Sequence, residues 1–458
     1  MRDIQPLVAP RSIAVIGAST NPNKSGGVLF SNLVKGDFKG ALYPINPGSP
    51  EVMGKKAYAS LADVPEAVDL VYIVLPSQHM EVSIQQCVNA KARAACIITA
   101  GFSEAGPVGR AAQEKLRETA RKAGMLLAGP NTIGMVNTDC NMMGSFVNFP
   151  RWEKGDISLF TQTGIFTGAV MRQIMDSDIQ RLPISKSIDV GNKIDVDEVD
   201  FLDFAANDPG TKVIGLYIES IRNPDAFLQK AKALRGIKPI VLLKPGRTEA
   251  GRMASLCHTG SLASENAVSD DAILEAGVIR VEDEDDFVNT LRALAMLPRA
   301  KGKRVGIATT SGALGVIASD LVADHGLQLA AYDELTISRM ATIFPEWLTP
   351  ANPFDFWIGI DVKGAKEAHH VGLHAVFADP NVDLVLCTLL APPNADFPEM
   401  GELLKTLRRQ YNKPFALVPY GSAAARWTAE VEGANIPVYS SVRAGVRALA
   451  FVAKAAGI

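Results

Sequence analysis

The stretch SIAVIGAS, residues 12–19, decides the fold. It begins as a nearly unbroken apolar run, which is typical of a strand covered on both faces in a parallel sheet. The run ends at Gly17 and small residues, and a helical pattern follows Gly26 and Gly27. Strand, glycine turn and helix start in this order predict the first βα unit of a doubly wound α/β sheet.

Similar Val- and Ile-rich runs recur along the whole chain, with helical patterns between most of them, so several parallel sheets are expected. Polar breaks at 148–155 and 298–302 divide the runs into three groups, which predicts domains at 1–148, 149–300 and 301–458. The predicted strands of the three groups are 12–19, 41–47, 70–76, 95–100 and 125–130; then 156–163, 182–190, 212–220, 239–245 and 278–281; then 304–311, 384–390, 415–420 and 437–440.

The second and third groups open alike, with GDISLFTQTG at 155–164 and KRVGIATTSG at 303–312. Each stretch is a strand, small hydroxyl residues, a glycine and then an apolar helix start. Strand-to-helix turns favour such residues in general, but two matches at the heads of successive domains predict a duplicated flavodoxin-like domain.

Composition excludes several classes of protein. The 458 residues carry a formal net charge of −3 without a clustered basic face, which disfavours a nucleic-acid surface. The five cysteines lie far apart with no C-x-x-C pair, which fits a reducing compartment better than a disulfide framework or a zinc site. There is neither a signal-peptide core nor an apolar run of eighteen residues, so we expect a cytoplasmic protein without a membrane span.

The turn after the first strand is expected to hold a nucleotide-like ligand, because phosphates meet helix N-terminal amides at this edge of a doubly wound sheet. NAD fits poorly, since Ser19 and Pro22 replace the second and third glycines of G-x-G-x-x-G. The second strand also ends at Asn46 without a carboxylate for the ribose. A tight turn without any ligand stays open at this point.

Together these pieces resemble the CoA-binding domain of succinyl-CoA synthetase and of ADP-forming acetyl-CoA synthetases. The matching stretches are IAVIGAS at 13–19, YPINP at 43–47, VLP at 74–76, IITAGF at 97–102 and GPNT at 129–132. The resemblance covers essentially the whole chain and implies a Rossmann-like CoA-binding domain followed by two succinyl-CoA-synthetase-type flavodoxin-like domains. It places coenzyme A at Gly17, Ser19, Pro76 and Ala100.

One departure from the succinyl type concerns the CoA phosphates. Relatives of that type have a lysine where this chain has Ser49, so the choice of lysine stays open between Lys24 and Lys55.

A long loop of small residues, GRTEAGRMASLCHTGSLA at 246–263, follows the strand predicted at 239–245. Long loops inside compact domains are usually functional. The loop resembles the family's phosphohistidine loop S-H-T-G-A-L-A, with Cys257 and Ser261 as small replacements, which implies that His258 is phosphorylated. The resemblance also makes Glu219 the carboxylate that orients the imidazole. A neutral imidazole is a competent nucleophile toward an acyl phosphate.

Phosphate is expected at the two matching turns, because hydroxyls and helix-start amides favour a doubly charged group. The phosphate-binding candidates are Thr161, Thr163 and Gly164 in one domain, and Ser311 and Gly312 in the other. Ile165 and Phe166 stand where many relatives have Ala-Leu, so we expect their bulk beside the site to bear on which acid fits.

Two further clusters are assigned no chemistry. His370 and His374 have metal-binding spacing, but no carboxylate accompanies them and the segment reads as an amphipathic helix, so no metal site is predicted. The acidic run at 282–286 is interpreted as a helix N-terminal cap. NPFD at 352–355 resembles a family turn and is interpreted as structural.

The resemblance implies an enzyme, the alpha-type subunit of an ADP-forming acyl-CoA synthetase that converts carboxylic acid, CoA and ATP to acyl-CoA, ADP and phosphate. The sequence lacks G-x-x-x-x-G-K-[ST], so ATP or ADP with Mg is expected on a separate ATP-grasp beta-type subunit, in a hetero- or homo-oligomer. The sequence leaves open the small carboxylic acid, ATP against GTP, the direction and the stoichiometry. A CoA-binding regulatory or scaffold protein is the alternative, and an NAD(P)-dependent oxidoreductase is a third hypothesis.

Overall fold

A computed structural model describes residues 2–148, 153–176, 181–251, 253–254, 268–390, 397, 399–422 and 424–458. The chain forms two compact units, the first from Met1–Asp176 and Pro183–Glu282, the second from Ser177–Leu182 and Asp283–Ile458. No helix in the described part of the chain is long and apolar enough to span a membrane.

The first unit begins with a five-stranded parallel sheet of order β2-β1-β5-β6-β7. Its core strands are completely buried, because helices cover both faces. The strands are β1 Ser12–Ile16, β2 Ala41–Ile45, the small β3 Glu51–Val52 and β4 Lys55–Lys56 hairpin, β5 Leu70–Ile73, β6 Ala94–Ile97 and β7 Leu126–Ala128. The helices are Gln5–Val8, Ser25–Lys35, Met80–Asn89 and Pro107–Lys122.

A seven-stranded sheet of order β14-β13-β12-β10-β11-β8-β9 completes the first unit. Its strands are β8 Gly134–Asn137, β9 Met142–Ser145, β10 Lys154–Thr161, β11 Ile184–Asp189, β12 Val213–Tyr217, β13 Ile240–Leu243 and β14 Ile279–Val281. The helical segments are the π-helical turn Ile165–Val170, then Met171–Asp176, Glu198–Asn207, Pro224–Leu234 and Asp270–Glu275. β10 to β14 are parallel, whereas β8 pairs antiparallel with both β11 and β9.

The second unit contains a parallel sheet of order β16-β15-β18-β19, with β17 paired to the end of β15. The strands are β15 Arg304–Thr309, β16 Gln328–Leu329, β17 Phe354–Asp355, β18 Leu384–Leu390 and β19 Phe415–Tyr420. The helices are Glu284–Met296, Gly312–Asp324, Glu334–Ala341, Trp357–Lys363, Ala365–Ala378, Met400–Tyr411, Ala424–Glu432 and Val442–Ala455.

All three sheets share one parallel order. Numbered along the chain, their main parallel strands run 2-1-3-4-5, the flavodoxin-like order, with a single bridge at Val438 in the fifth place of the last sheet. The predicted α/β fold is confirmed. The predicted acidic cap is also confirmed, because Asp283 accepts a hydrogen bond from the Asp286 amide (2.7 Å) at the start of its helix.

Two local predictions differ from the structure. The strand expected at 437–440 is only a bridge, because the Val438 amide donates to the Glu432 carboxylate (2.8 Å) and its carbonyl accepts from Arg292 (3.3 Å). The hairpin of β8 and β9 was not expected, and it joins the second sheet although it precedes residue 148. The three-domain division itself stays a prediction.

The Arg292–Glu432 ion pair holds the last helices of the second unit together. Both side chains are completely buried, and Arg292 also donates to the carbonyl of Arg181 (3.0 Å). Such a pair adds little over apolar packing, but the loss of one partner leaves an uncompensated buried charge.

We expect Glu432→Gln to lower the free energy of unfolding by about 3 kcal/mol, because the guanidinium of Arg292 loses its counter-charge. Urea unfolding followed by tryptophan fluorescence measures it, since Trp427 is buried in the same helix. Glu402→Gln, at an exposed pair with Lys405, is the control and should change stability by about 0.5 kcal/mol or less. Equal effects of the two substitutions would contradict the assignment.

Candidate active site

The turn after β1 requires glycine for close packing. Gly17 has φ +88°, and a Cβ there would lie 2.4 Å from the Val74 carbonyl oxygen. Gly26, in the first turn of the next helix, approaches so closely that its Cβ would lie 2.0 Å from the Gly17 carbonyl oxygen. The backbone is therefore bare on both sides of this turn, as a bound nucleotide-like group requires.

Neighbouring strand ends brace this turn by side-chain hydrogen bonds. The Asn46 amide, just after β2, donates to the carbonyl of Ala18 (2.9 Å), and the Thr99 hydroxyl after β6 donates to the carbonyl of Leu75 after β5 (2.5 Å). The carboxyl edge of the first sheet is thus a connected surface, on which Pro76 and Ala100 are exposed.

The turn after β10 is organised by its threonines. The Thr161 hydroxyl donates to the carbonyl of Thr163 (3.1 Å) and shares a hydrogen bond with Thr167 (3.0 Å), so it is fully used inside the turn. The Thr163 hydroxyl accepts from the Ile165 amide (3.3 Å). Thr163 and Gly164 are only half-buried, whereas Thr161 is completely buried.

A buried carboxylate fixes the adjoining loop. Asp189, only 1% exposed at the end of β11, accepts hydrogen bonds from the Ile133 amide (2.8 Å), the Thr132 hydroxyl (3.0 Å) and the Gly191 amide (3.1 Å). Burial raises the pKa of Asp189 to about 6 although these donors oppose the shift. Asp189 therefore titrates in the range of slightly acidic pH.

These strand ends of the first unit surround one cavity of about 630 Å³. Its volume is in the range of small-molecule sites. The lining residues are Gly17, Lys24, Ser25, Gly26, Val74, Leu75, Pro76, Ile98, Thr99, Ala100, Asn131, Thr132, Ile133, Phe146, Gln162, Thr163, Gly164, Asp189, Gly191 and Asn192. The structure thus brings predicted CoA-binding and phosphate-binding residues to the same space.

Some predicted residues lie elsewhere. Among the described lining residues, Ser19 and Thr161 are missing; the Ser19 hydroxyl instead accepts from the Asn21 amide (3.1 Å). Of the two lysines left open, Lys24 lines the cavity and Lys55 lies in the β3–β4 hairpin.

The cavity fits coenzyme A in chemistry. A bare glycine turn and one ammonium group suit phosphates, and apolar walls such as Val74, Leu75 and Ile98 suit a pantetheine arm.

Glu219 lies just past β12, on a segment held from two sides. The Gln162 side-chain oxygen accepts from the Glu219 amide (2.9 Å). The Lys193 ammonium donates to the Ser220 carbonyl (2.6 Å) and pairs with the buried carboxylate of Glu198 (2.7 Å). Burial, with the Glu219 charge nearby, raises the pKa of Tyr217 to about 12. The backbone of Glu219 is therefore fixed to the turn that carries Thr163.

The second unit repeats the turn of β10. The Thr309 hydroxyl, at the end of β15, donates to the Ser311 carbonyl (3.0 Å) and accepts from the Ser311 amide (3.0 Å). Thr388 donates to the same hydroxyl (2.7 Å). Ser311 is the N-cap of the helix that begins at Gly312, so its position matches the predicted duplication.

The predicted nucleophile is not described. His258 and its loop lie within 255–267, outside the described residues. In the candidate metal cluster, the His369 ring is buried against the Ala365 carbonyl (2.7 Å), and His374 contacts the Tyr411 hydroxyl (3.1 Å). The described residues hold no group of three or more His, Cys, Asp or Glu side chains with metal-binding geometry.

The fold and the cavity define an α/β protein with a CoA-type site, and comparisons with known proteins agree. The CoA binding domain family matches residues 11–138, and the succinyl-CoA ligase like flavodoxin domain family matches residues 154–294. The alpha subunit of acetate–CoA ligase [ADP-forming] II from Pyrococcus furiosus is 34% identical over 98% of this chain and 97% of its own length. The Archaeoglobus fulgidus acetate–CoA ligase [ADP-forming] II is 35% identical over 99% of this chain and 67% of its own length.

A solved structure is similar over the whole chain. The Ca. Korarchaeum cryptofilum dinucleotide forming acetyl-coenzyme A synthetase 1, in complex with phosphate and ADP, has a TM-score of 0.91 at 30% identity, covering 100% of this chain and 97% of its own. The chain therefore belongs to the ADP-forming acyl-CoA synthetase family, as its alpha-type subunit.

We expect Gly26→Ala to weaken CoA binding at least about tenfold, because the new Cβ pushes the helix start away from the Gly17 carbonyl. Isothermal titration calorimetry with CoA measures the affinity. Gly124→Ala is the control, since Gly124 also has a positive φ (+70°) but nothing lies within 4 Å of its Cβ. An unchanged affinity in a folded Gly26→Ala protein would contradict the placement of CoA.

Proposed function

We propose that this chain is the CoA-binding, phosphohistidine-bearing subunit of an ADP-forming acyl-CoA synthetase. The reaction joins a carboxylic acid and CoA at the expense of ATP, giving acyl-CoA, ADP and phosphate. One observation carries the proposal: a single cavity is lined by Gly17, Pro76 and Ala100 on one side and by Thr163 and Gly164 on the other.

The first step joins these two sides of the cavity. In the direction of acyl-CoA breakdown, a phosphate oxygen attacks the thioester carbonyl, the carbon–sulfur bond breaks and CoA leaves as a thiol after protonation. Phosphate bound by the Thr163 hydroxyl and the following amides would be held for this attack, and such positioning supplies much of the rate. Thr163 and Gly164 are preferred over Thr161 as contacts, because the Thr161 hydroxyl is used inside the turn.

The second step assigns the imidazole of His258 as nucleophile. Its nitrogen attacks the phosphorus of the acyl phosphate, the phosphorus–oxygen bond to the acyl group breaks and the carboxylate leaves. Glu219 is proposed to hold the imidazole in the tautomer with a free nitrogen toward phosphorus. The support for Glu219 is its fixed backbone, tied by Gln162 to the turn that carries Thr163.

The last step requires a nucleoside diphosphate. We assign the nucleotide site, with Mg, to a separate ATP-grasp beta-type subunit, where a terminal phosphate oxygen of ADP attacks the phosphohistidine and the nitrogen–phosphorus bond breaks. The name of the Pyrococcus furiosus relative, a subunit alpha, supports a partner subunit. Ser311 and Gly312 are proposed as further phosphoryl contacts. The dispersed cysteines support a cytoplasmic location.

We expect His258→Ala to abolish acid-labile phosphorylation of the chain and acyl-CoA synthesis, while CoA binding stays unchanged. The assay supplies labelled ATP and the partner subunit, and follows both the labelled protein and ADP formation with acid and CoA. His370→Ala, in the second unit, is the control and should retain both activities.

Glu219→Gln should lower the rate of phosphohistidine formation by about 100-fold, because the amide no longer fixes the imidazole electrostatically. Acyl-CoA synthesis by the His258→Ala protein would refute the mechanism. CoA binding without labelling of the wild-type chain would favour the regulatory or scaffold alternative.

A further inference from the structure

Two apolar side chains stand apart from the glycine turns in the cavity wall. Ile133 precedes β8 and Phe146 follows β9, and the antiparallel register pairs Gly134 with Ser145, so Ile133 and Phe146 occupy the next cross-strand positions. Both are half-buried and line the cavity.

Ile133 lies directly against the phosphate turn. A Cβ on Gly164 would come within 2.8 Å of the Ile133 Cγ2 atom, and a Cβ on Gly168 within 3.3 Å of its Cδ1 atom. These two glycines leave just enough room for the isoleucine, so its side chain cannot withdraw toward the helix.

The backbone under this side chain is equally fixed. The Ile133 amide donates to the buried carboxylate of Asp189 (2.8 Å), and the Gly134 amide donates to the Thr132 hydroxyl (3.0 Å). A bulky group that contacts Ile133 would therefore meet a rigid wall rather than a movable loop.

The reaction geometry places the acyl group at this wall. The reacting carbonyl must lie within reach both of phosphate at Thr163 and Gly164 and of the CoA sulfur, whose arm comes from the side of Pro76 and Ala100. Of the described lining residues, Ile133 is the apolar side chain in contact with the phosphate turn. The carbon next to the carboxyl group would then meet Ile133 first, and a longer chain would extend toward Phe146.

Resting on the proposed function, we propose that Ile133 and Phe146 form the acyl subsite, which takes apolar monocarboxylic acids and excludes branching at the carbon beside the carboxyl group. Dicarboxylates are excluded as well, since the described wall at this end offers no cation; Lys24 lines the cavity beside the first turn instead.

The subsite replaces the specificity role expected for Ile165 and Phe166. Neither is among the described residues that line the cavity; Ile165 is 54% exposed, and Phe166 is buried against Tyr217 with ring centroids 5.1 Å apart.

The test compares butanoate with its branched isomer 2-methylpropanoate, which has the same atoms and charge. ADP formation by the chain with its partner subunit, CoA and ATP gives kcat/KM for each acid. In the wild-type protein butanoate should be preferred, and Ile133→Ala should raise the ratio for the branched isomer by about tenfold or more, the value of one methyl group in a pocket. Ile165→Ala is the matched control and should leave the ratio within about twofold. Succinate should be a poor substrate throughout.

An unchanged ratio in an active Ile133→Ala protein, or succinate used as well as butanoate, would overturn the subsite. If Ile133→Ala loses CoA binding, Ile133→Val and Phe146→Leu carry the same comparison, and unchanged ratios in both would overturn it. Absence of ADP formation with every acid, in a protein that binds CoA, would instead count against the proposed function.

Discussion

The buried carboxylate of Asp189 is the constraint on which the site depends. A buried charge is costly unless donors surround it, and here two amides and a hydroxyl do so. These bonds tie the end of β11 to the segment after β7. Amides of Asn192, Ile194 and Val196 then donate to carbonyls of the 127–130 segment, as a short ladder (2.9–3.2 Å). The carboxyl edges of the two sheets of the first unit therefore share one cavity.

Much of this arrangement follows from the sequence. Continuous apolar runs predicted the buried parallel strands, and the glycine and hydroxyl turns predicted where ligands would bind, because strand ends in doubly wound sheets carry these sites. Gly17 and Gly164 are predicted from local pattern alone, since a turn or close approach at these positions excludes a side chain.

The remainder depends on tertiary pairing. β8 and β9 have four residues each and no clear alternation, so only their pairing with β11 defines them as strands. Asp189 reads as the end of an apolar strand, and nothing local shows that its carboxylate meets Ile133. The acyl wall was missed for the same reason, whereas Ile165, next to the turn in sequence, points to solvent. The GPNT motif at 129–132 was the one local signal for this region.

The repeated turn indicates how one fold serves successive tasks. Thr161 and Thr309 each donate to the carbonyl two residues ahead, and each precedes a glycine at a helix start. All three sheets have the same strand order, and in each the turn follows the first strand at the point where the order reverses. The same backbone geometry can thus hold different phosphate groups, while side chains around it choose the rest of the ligand.

The central claim is that this chain alone joins acyl-CoA chemistry to histidine phosphorylation. It is tested most directly by mixing the chain, without partner or nucleotide, with butanoyl-CoA and labelled inorganic phosphate. The account predicts phosphate-dependent release of CoA thiol together with acid-labile label on His258, up to one per chain. Thiol release without label on His258, or no reaction in a protein that binds CoA, would contradict it.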